Sequence, residues 1–493
     1  MSAELLINVT PQESRVALLH NGTLQEVHVE RTSRQGIVGN IYNGRVSRVL
    51  PGMEAAFIDI GLEKAAFLHA SDLTIEFQGV VKTNGDDVDK KQLKIADVLY
   101  EGKSILVQVI KDPLGTKGAR LTTYVTIPSR SLVLIPHDKS LGISSKIEDP
   151  AERERLKNLV DSLRREEDDF PGYIIRTAAE EADEESIRAD MLFLCKQWKK
   201  VTEAGGGKKP AVVYSDLPLV QRVLRDMVGE PMERVRIDSR ETLEKVKTFS
   251  ELYIPELSPF IEHYPGERPI FDLYGVEDEI QKALERQVQL KSGGYLIFDQ
   301  TESMTTVDVN TGRFVGHRNL EETIFKTNLE AAQTLARQLR LRNLGGIIII
   351  DFIDMEDPNH RVQVLTALEK ALAKDYTKTY VSTVSQLGLV EMTRKRTRES
   401  LEHVLCEECP TCTGKGYLKT PQTVCYEIFR EILREVRQFD ANEMLVLASQ
   451  EVVDLLLDEE SDNLAQLQEF VDRAIRFQVE ALYTQEQYDI VLM

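Results

Sequence analysis

Residues 305–312 are the stretch that decides the fold, Thr305-Thr306-Val307-Asp308-Val309-Asn310-Thr311-Gly312. Side chains alternate between the two faces of a β-strand, so this stretch predicts a strand with Val307 and Val309 on one face. Asp308 and Asn310 then lie together on the opposite face. We expect one face to join a core and the other to present a carboxylate and an amide.

A second strand is predicted further along the chain, in Gly346-Ile347-Ile348-Ile349-Ile350-Asp351-Phe352-Ile353-Asp354-Met355. Four consecutive isoleucines are typical of a strand that is covered on both faces. The run ends in Asp351, and open α/β sheets bind their ligands beyond the carboxyl ends of strands. Strand phase places Asp354 on the face opposite Asp351, so Asp354 is a less favoured candidate than Asp351 for binding a ligand.

Two acids and an amide on neighbouring strands would form an oxygen-only site of the kind that magnesium prefers. The sequence therefore predicts a catalytic magnesium site at Asp308, Asp351 and Asn310. The alternative is that these side chains only cap or end strands. A metal-free mechanism would need an acid–base pair, and the eight histidines show no paired spacing.

Composition limits the class of protein. The chain has 493 residues, which is long enough for several domains. We find no apolar run of the roughly 18 residues that a membrane helix needs, and no signal-peptide pattern at the start, so we expect no membrane contact. Five cysteines in so long a chain favour a reducing cytoplasm over a disulfide framework.

The charge balance argues against a protein that simply coats nucleic acid. The net charge is −20, from 61 basic and 81 acidic residues, and phosphate binding needs positive surface. A nuclease needs only a local basic track, however. The stretches 111–120 and 394–398 are such local clusters of basic residues.

Residues 36–127 contain short strands joined at Gly and Pro, which predicts a small barrel, an OB-fold. Strand phase puts Phe57 and Phe67 on the non-core face. Exposed aromatics on such a barrel stack unpaired bases, and Lys111 and Lys117 would supply a phosphate track beside them. The alternative is that another domain packs on this face and buries the two rings.

Residues 128–218 predict an α/β segment with a strand at 172–175. Arg176 at the end of that strand could bind a terminal phosphate through its planar fork, with the Thr177 hydroxyl beside it. The alternative is an ordinary salt bridge. Further on, we predict a helix from Val276 to Leu290 and a long helix from Leu320 to Arg342.

The cysteine cluster Cys409-Pro410-Thr411-Cys412, followed by two glycines, has the form of a zinc knuckle. A structural zinc needs four ligands, and one knuckle supplies two. Cys406 and His403 could complete the set within one chain. Alternatively, two chains could each contribute Cys409 and Cys412, which would make zinc a dimer clasp.

Seven stretches of the chain together resemble the bacterial ribonuclease E/G family over essentially the full length. They are FIDIGLEKAAFLHASDL (57–73), KDPLGTKGARLTT (111–123), IIRTAAE (174–180), FDLYGVEDEI (271–280), LKSGGYLIFDQTESMTTVDVNTG (290–312), RLRNLGGIIIIDFIDM (340–355) and CPTCTGKG (409–416). The chain stops after the small C-terminal domain, so we expect the shorter, G-type branch.

The resemblance implies a magnesium-dependent endonuclease that cleaves single-stranded, AU-rich RNA and leaves 5′-phosphate and 3′-hydroxyl ends. It implies 5′-end maturation of 16S ribosomal RNA, mRNA decay and tRNA processing. Asp308 and Asp351 match the metal ligands of the family, with Asn310 beside them. Cys409 and Cys412 match a pair that shares zinc across a homodimer, which leaves Cys406 as an extra thiol.

The resemblance also implies RNA contacts and a sensor for the 5′-monophosphate of the substrate. Phe57, Phe67 and Lys117 match RNA contacts of the barrel. The sensor residues match Arg176 and Thr177, with Val133 as an apolar wall of the pocket. A further Arg of the ribonuclease E pocket is matched here by Lys378, which keeps the charge but loses the bidentate fork.

The fold that the resemblance implies is a multidomain α/β protein. Its expected parts are an RNase H-like domain split over residues 1–35 and 219–284, an OB-fold at 36–127, a 5′-sensor at 128–218, a DNase I-like catalytic domain at 285–403, a zinc-link at 404–417 and a small dimerisation domain at 418–493. Two competing functions remain, a non-catalytic RNA-binding factor and a DNA-directed phosphodiesterase.

Overall fold

The computed structural model describes residues 3–33, 35–74, 94–113, 118–165, 171–180, 182–207, 209–226, 232–312, 320–375, 377–396, 398–439 and 442–493. The chain divides into two compact units, Met1–Val404 and Leu405–Met493. Both units mix helices with sheets, which confirms the predicted α/β class. In the described part of the chain, no helix is both long and apolar enough to cross a membrane.

The strands of the described residues are, in chain order, β1 (Ala3–Val9), β2 (Glu13–His20), β3 (Thr23–Arg31), β4 (Ile41–Leu50), β5 (Ala55–Asp59), β6 (Ala66–His69), β7 (Ser104–Lys111), β8 (Arg120–Thr122), β9 (Ile127–Pro128), β10 (Leu132–Ile135), β11 (Leu141–Ile143), β12 (Gly172–Ile175), β13 (Ala211–Tyr214), β14 (Met232–Ile237), β15 (Ile261–His263), β16 (Gln287–Gln289), β17 (Tyr295–Gln300), β18 (Met304–Asn310), β19 (Gly346–Asp351), β20 (Thr379–Val384), β21 (Leu389–Arg394), β22 (Glu443–Ala448), β23 (Ala474–Val479) and β24 (Tyr488–Leu492).

The helices are α1 (Ile95–Val98), α2 (Pro150–Arg164), α3 (Glu184–Gly205), α4 (Leu219–Asp226), α5 (Arg240–Tyr253), α6 (Ile270–Leu273), α7 (Val276–Leu284), α8 (Leu320–Leu341), α9 (Pro358–Leu372), α10 (Leu401–Leu405), α11 (Pro421–Gln438), α12 (Gln450–Leu457) and α13 (Ser461–Val471). Local sequence explains several helix starts. Asp149, for example, caps α2 by accepting from the Ala151 amide, and Pro150 occupies the first turn.

The N-terminal strands share a sheet with a segment that lies more than 200 positions away, in the order β15-β14-β1-β2-β3. Strand β1 pairs in parallel with β14 and antiparallel with β2. The chain therefore leaves this sheet after β3 and returns to it at β14. This return agrees with the predicted interruption of the first domain.

The predicted barrel forms from the strand order β13-β4-β5-β6-β8-β7, which closes because β4 also pairs with β7. Its interior contains Ala56, Ile58 and Leu68, all fully buried. The strand phase predicted for this segment is confirmed. The following segment forms a separate sheet, β11-β12-β10-β9, against which α3 packs.

The sheet that carries the predicted site has the order β16-β17-β18-β19-β21-β20. Its buried residues share one hydrophobic core with residues of α8 and α9. The prediction that the isoleucine strand is covered on both faces is wrong. Ile348 and Ile350 are 0% exposed, whereas Ile347 is 47% exposed, because the helices cover only one face.

The structure corrects one element boundary and agrees with another to within one residue. The helix predicted from Val276 to Leu290 ends at Leu284, and Gln287–Gln289 form the edge strand β16. The long helix ends at Leu341, close to the predicted end. Asn343 then takes a left-handed φ of 49°, a conformation that Asn tolerates better than most residues.

In its described residues, the second unit contains the three-stranded sheet β23-β22-β24 and the helices α11, α12 and α13. Strand β22 pairs in parallel with β23 and antiparallel with β24. Buried side chains of α11, α12 and α13 contribute to its core, and Cys425 belongs to that core. The other isolated cysteine, Cys195, is only half-buried.

Candidate active site and nucleic-acid interface

Asp308 and Asp351 lie side by side at the end of two parallel strands. Strand β18 pairs with β19 in a register that places Asp308 opposite Asp351. Neighbouring strands are about 4.8 Å apart, so paired side chains on one face are close. Both carboxylates are exposed, whereas Val307 and Val309 are buried on the core face. The alternation predicted for β18 is confirmed.

Asn310 orients the first of these carboxylates. Its Nδ2 donates a hydrogen bond of 2.9 Å to Oδ2 of Asp308. This contact fixes the rotamer of Asp308 from two residues along the same strand face. Asn310 was predicted as part of the magnesium site, and this hydrogen bond supports a role in orienting Asp308.

The electrostatics of the pair suit a bound cation. Partial burial raises the pKa of Asp351, and the neighbouring carboxylates of Asp308 and Asp354 raise it further. A divalent cation would relieve that repulsion. Among the described residues no group of three or more His, Cys, Asp or Glu could hold a metal ion. Two exposed carboxylates at the ends of two neighbouring strands fit magnesium, which keeps several of its own waters.

Asp354 lies in the loop that follows β19. Strand β19 ends at Asp351, so its alternation does not continue to Asp354, and the charge of Asp354 acts on Asp351. The loop after the strand is held by Asn328, a fully buried residue of α8. Its Nδ2 donates to the carbonyl of Ile353 at 2.8 Å, and its Oδ1 accepts from the Ile353 amide at 3.1 Å.

Asn328 is a site residue that was not predicted from the sequence. The available signal was an amide side chain within the apolar stripe of an amphipathic helix. A buried polar group in such a position requires a partner, and here the partner is the backbone that carries Asp354.

Phe57 and Phe67 form an aromatic pair on the outer face of the barrel. They are cross-strand neighbours in β5 and β6, and their ring centroids are 6.1 Å apart in an edge-on arrangement. Both side chains are half-buried. Part of each ring is therefore open to a base that stacks on it.

Basic residues continue this row on both sides. Phe67 pairs with Arg120 of β8, and Arg120 pairs with Lys111 of β7. On the other side, Phe57 pairs with Arg48 of β4. Arg48 and Lys111 are exposed, and Arg120 binds Asp72 at 2.9 Å.

Surfaces that bind single-stranded nucleic acid combine aromatic side chains, on which bases stack, with cations that contact the phosphates. This row contains both kinds of residue. Arg48 was not predicted from the sequence, because its place in the row depends on strand pairing. The predicted contact Lys117 lies outside the described residues.

The predicted phosphate pocket contains an ion pair. Arg176 Nη2 donates to Oδ1 of Asp226 at 2.9 Å, and Arg176 Nη1 donates to the Ser129 carbonyl at 2.6 Å. The salt bridge considered as the alternative for Arg176 is thus present. The Thr177 hydroxyl is 3.0 Å from that of Ser144.

Two further residues were assigned to this pocket. Val133 pairs with Ile174 of β12 and is therefore on the same sheet as the strand that leads into Arg176. The Lys378 side chain is exposed just before β20 on the catalytic sheet.

The two knuckle cysteines lie in a tight turn of the second unit. The Cys409 carbonyl accepts from the Thr413 amide at 2.8 Å, and the Gly416 amide donates to Sγ of Cys412 at 3.4 Å. The Cys412 and Thr411 amides lower the pKa of the Cys409 thiol, which favours the thiolate that binds metals. Cys406 is exposed and free.

Comparison with known proteins identifies the family. A model of the Ribonuclease E/G family matches residues 126–397, and one described as the RNase E/G thioredoxin-like domain matches residues 408–492. The chain is 57% identical over 499 residues to ribonuclease G of Salmonella typhimurium and 54% identical over 498 residues to ribonuclease G of Haemophilus influenzae, with 100% of each chain covered. It is also 37% identical over 416 residues to ribonuclease E of Nostoc, with 83% of this chain and 58% of the relative covered. The chain therefore belongs to the ribonuclease E/G family.

Proposed function

We propose that this chain is a magnesium-dependent endoribonuclease that cleaves single-stranded, AU-rich RNA and leaves 5′-phosphate and 3′-hydroxyl ends. The observation that carries the proposal is the pairing of Asp308 with Asp351 at the open end of two parallel strands. Relatives named ribonuclease G support RNA as the substrate. By the same relationship we propose 5′-end maturation of 16S ribosomal RNA, mRNA decay and tRNA processing.

Asp308 and Asp351 would hold the magnesium ion as carboxylates. Bound magnesium would supply Lewis-acid polarisation of the scissile phosphate. Asn310 keeps Asp308 in one rotamer through its hydrogen bond, and Asn328 holds the backbone beyond Asp351 through Ile353. Because these groups are already held in place, the site would need less rearrangement when the reaction occurs.

The barrel would deliver RNA to this site. We propose that the barrel is an OB-fold, that the split sheet is RNase H-like and that the sheet of Asp308 belongs to a DNase I-like catalytic domain. Bases would stack on Phe57 and Phe67 while Lys111 and Lys117 contact phosphates. Arg176 and Thr177 would bind a 5′-monophosphate, with Val133 as the apolar wall.

Phe57→Ala and Phe67→Ala are each expected to weaken binding of single-stranded RNA about tenfold, because a stacked base contributes roughly 1–3 kcal/mol. Fluorescence anisotropy with a labelled oligonucleotide measures this affinity. Tyr100 is an exposed aromatic outside the row, so Tyr100→Ala is the matched control. If both Phe variants bind as tightly as the parent, the row is not a stacking surface.

We further propose a cytoplasmic homodimer, able to assemble further, in which Cys409 and Cys412 of each chain share one structural zinc. The lowered pKa of Cys409 supports thiolate ligation. We propose a reducing compartment because five cysteines in a chain of 493 residues are too few for a disulfide framework.

The proposed function is tested by incubating the protein and magnesium with single-stranded RNA and, in parallel, with DNA of the same sequence. We expect internal cleavage of the RNA and an intact DNA strand. RNA that is bound but never cut would support a non-catalytic binding factor instead. Faster cutting of the DNA would support a DNA-directed phosphodiesterase.

A further inference from the structure

The guanidinium of Arg176 is already in contact with an anion. Its Nη2 donates to Asp226 at 2.9 Å, and its Nη1 donates to the Ser129 carbonyl. Asp226 is at the end of α4 with 43% of its side chain exposed, and 25% of the Arg176 side chain is exposed. An incoming phosphate would therefore meet a cation whose charge is partly neutralised.

Asp226 does not depend on Arg176 for its own neutralisation. Arg225, from the same helix end, donates from Nε and Nη2 to the two oxygens of Asp226 at 3.0 and 3.2 Å. Burial raises the pKa of Asp226, but Arg225 and Arg176 lower it by more. If Arg176 turned to a phosphate, Asp226 would remain paired with Arg225.

Asp190 is a second carboxylate near Arg176, and it binds other groups. Asp190 accepts from the Ser129 hydroxyl at 2.8 Å and from the Ser131 amide at 2.7 Å. These contacts hold the loop whose carbonyl binds Arg176. Asp190 therefore supports the backbone of the pocket, and Asp226 is the carboxylate in direct contact with the guanidinium.

We propose that Asp226 is a specificity-determining residue that competes with the 5′ end of the RNA for Arg176. The inference rests on the proposed 5′-end sensing by Arg176. A phosphate monoester carries close to two negative charges at neutral pH, so it outcompetes a carboxylate that carries one. A 5′-hydroxyl end has no charge and leaves the ion pair intact. Asp226 thus weakens the response of the pocket to a monophosphate and sets how strongly that end is favoured.

The test is the Asp226→Asn variant, since asparagine keeps an acceptor oxygen for Arg176 but removes the charge. The readout is the ratio of kcat/KM for 5′-monophosphate RNA over kcat/KM for the same RNA with a 5′-hydroxyl. We expect this ratio to rise about five- to tenfold, through a lower KM for the monophosphate substrate at similar kcat. An unchanged or smaller ratio overturns the proposal.

Two further variants test whether a change in this ratio comes from the charge of Asp226. Asp226→Ser removes the same charge through a smaller side chain, so the result does not depend on the folding of one variant. Asp161→Asn removes an acid that pairs with Arg164 and Arg165 at the end of α2 and is expected to leave the ratio at the parent value.

Arg176→Ala separates the inference from the function on which it rests. A parent-like ratio in Arg176→Ala means that Arg176 does not sense the 5′ end, and the proposed sensing fails. A ratio near unity in Arg176→Ala together with no gain in Asp226→Asn refutes the role of Asp226 alone.

Discussion

Cleavage of single-stranded RNA is expected to fall by at least about 10³-fold in Asp308→Asn and in Asp351→Asn, because each removes one of two carboxylates that would hold the ion, an effect of several kcal/mol on the barrier. Asparagine matches aspartate in size, and both side chains are exposed, so the fold is expected to survive. Single-turnover rates in magnesium measure the loss.

The control for this loss is Asp299→Asn on the neighbouring strand of the same sheet. Asp299 is an exposed acid in an ion pair with Arg286, and its replacement is expected to leave the rate close to the parent value. RNA affinity, measured by anisotropy, should persist in every variant. A double Asp308/Asp351 variant that cuts as fast as the parent would place the chemistry elsewhere.

The second large effect is expected at the zinc knuckle. Replacing Cys409 and Cys412 together with serine should release the bound zinc and convert dimers to monomers, because serine is a poor ligand for a structural zinc site. Analytical ultracentrifugation gives the mass of the particle, and elemental analysis gives the zinc content. A stable dimer without zinc would refute the clasp.

Cys406→Ser distinguishes the two arrangements of ligands that the sequence allows. If zinc is shared between chains, Cys406→Ser is expected to keep both the metal and the dimer. If the four ligands come from one chain, Cys406→Ser should lose zinc. Cys406 and the knuckle cysteines are close in sequence and not in disulfides, so this variant is also a matched thiol control.

Local alternation along a strand was predictable from the sequence. The faces of β18 and of β5 depend only on the positions of side chains along one extended segment, and Asp308, Asn310 and Phe57 lie on the predicted faces. The bounds of β12, Gly172–Ile175, also agree with the prediction, because the strand consists of a glycine followed by an apolar run.

Features that depend on pairing between distant segments were not predictable. The place of Arg48 beside Phe57 follows from a strand register with a bulge. Ile347 is exposed because, among the described residues, α8 and α9 pack on the opposite face of the sheet, and a run of isoleucines does not reveal which layers pack on it. Similarly, residues after Leu284 form an edge strand because β17 pairs with them, although their local pattern is compatible with a helix.

The contacts of charged side chains were the least predictable part. Arg176 was placed at a strand end with two possible roles, and the structure gives it a partner, Asp226, that is 50 positions away. Asp354 lies beyond the end of β19, where the alternation of a strand no longer fixes the direction of a side chain. In both positions, tertiary contacts decide what the side chain meets.

The most direct test of a magnesium-dependent hydrolysis at Asp308 and Asp351 is an analysis of the RNA ends that the purified protein produces with magnesium and with a chelator. We predict 5′-phosphate and 3′-hydroxyl ends in magnesium and no cleavage when the metal is removed. Cleavage that persists in the chelator, or products that end in a 2′,3′-cyclic phosphate, would contradict it.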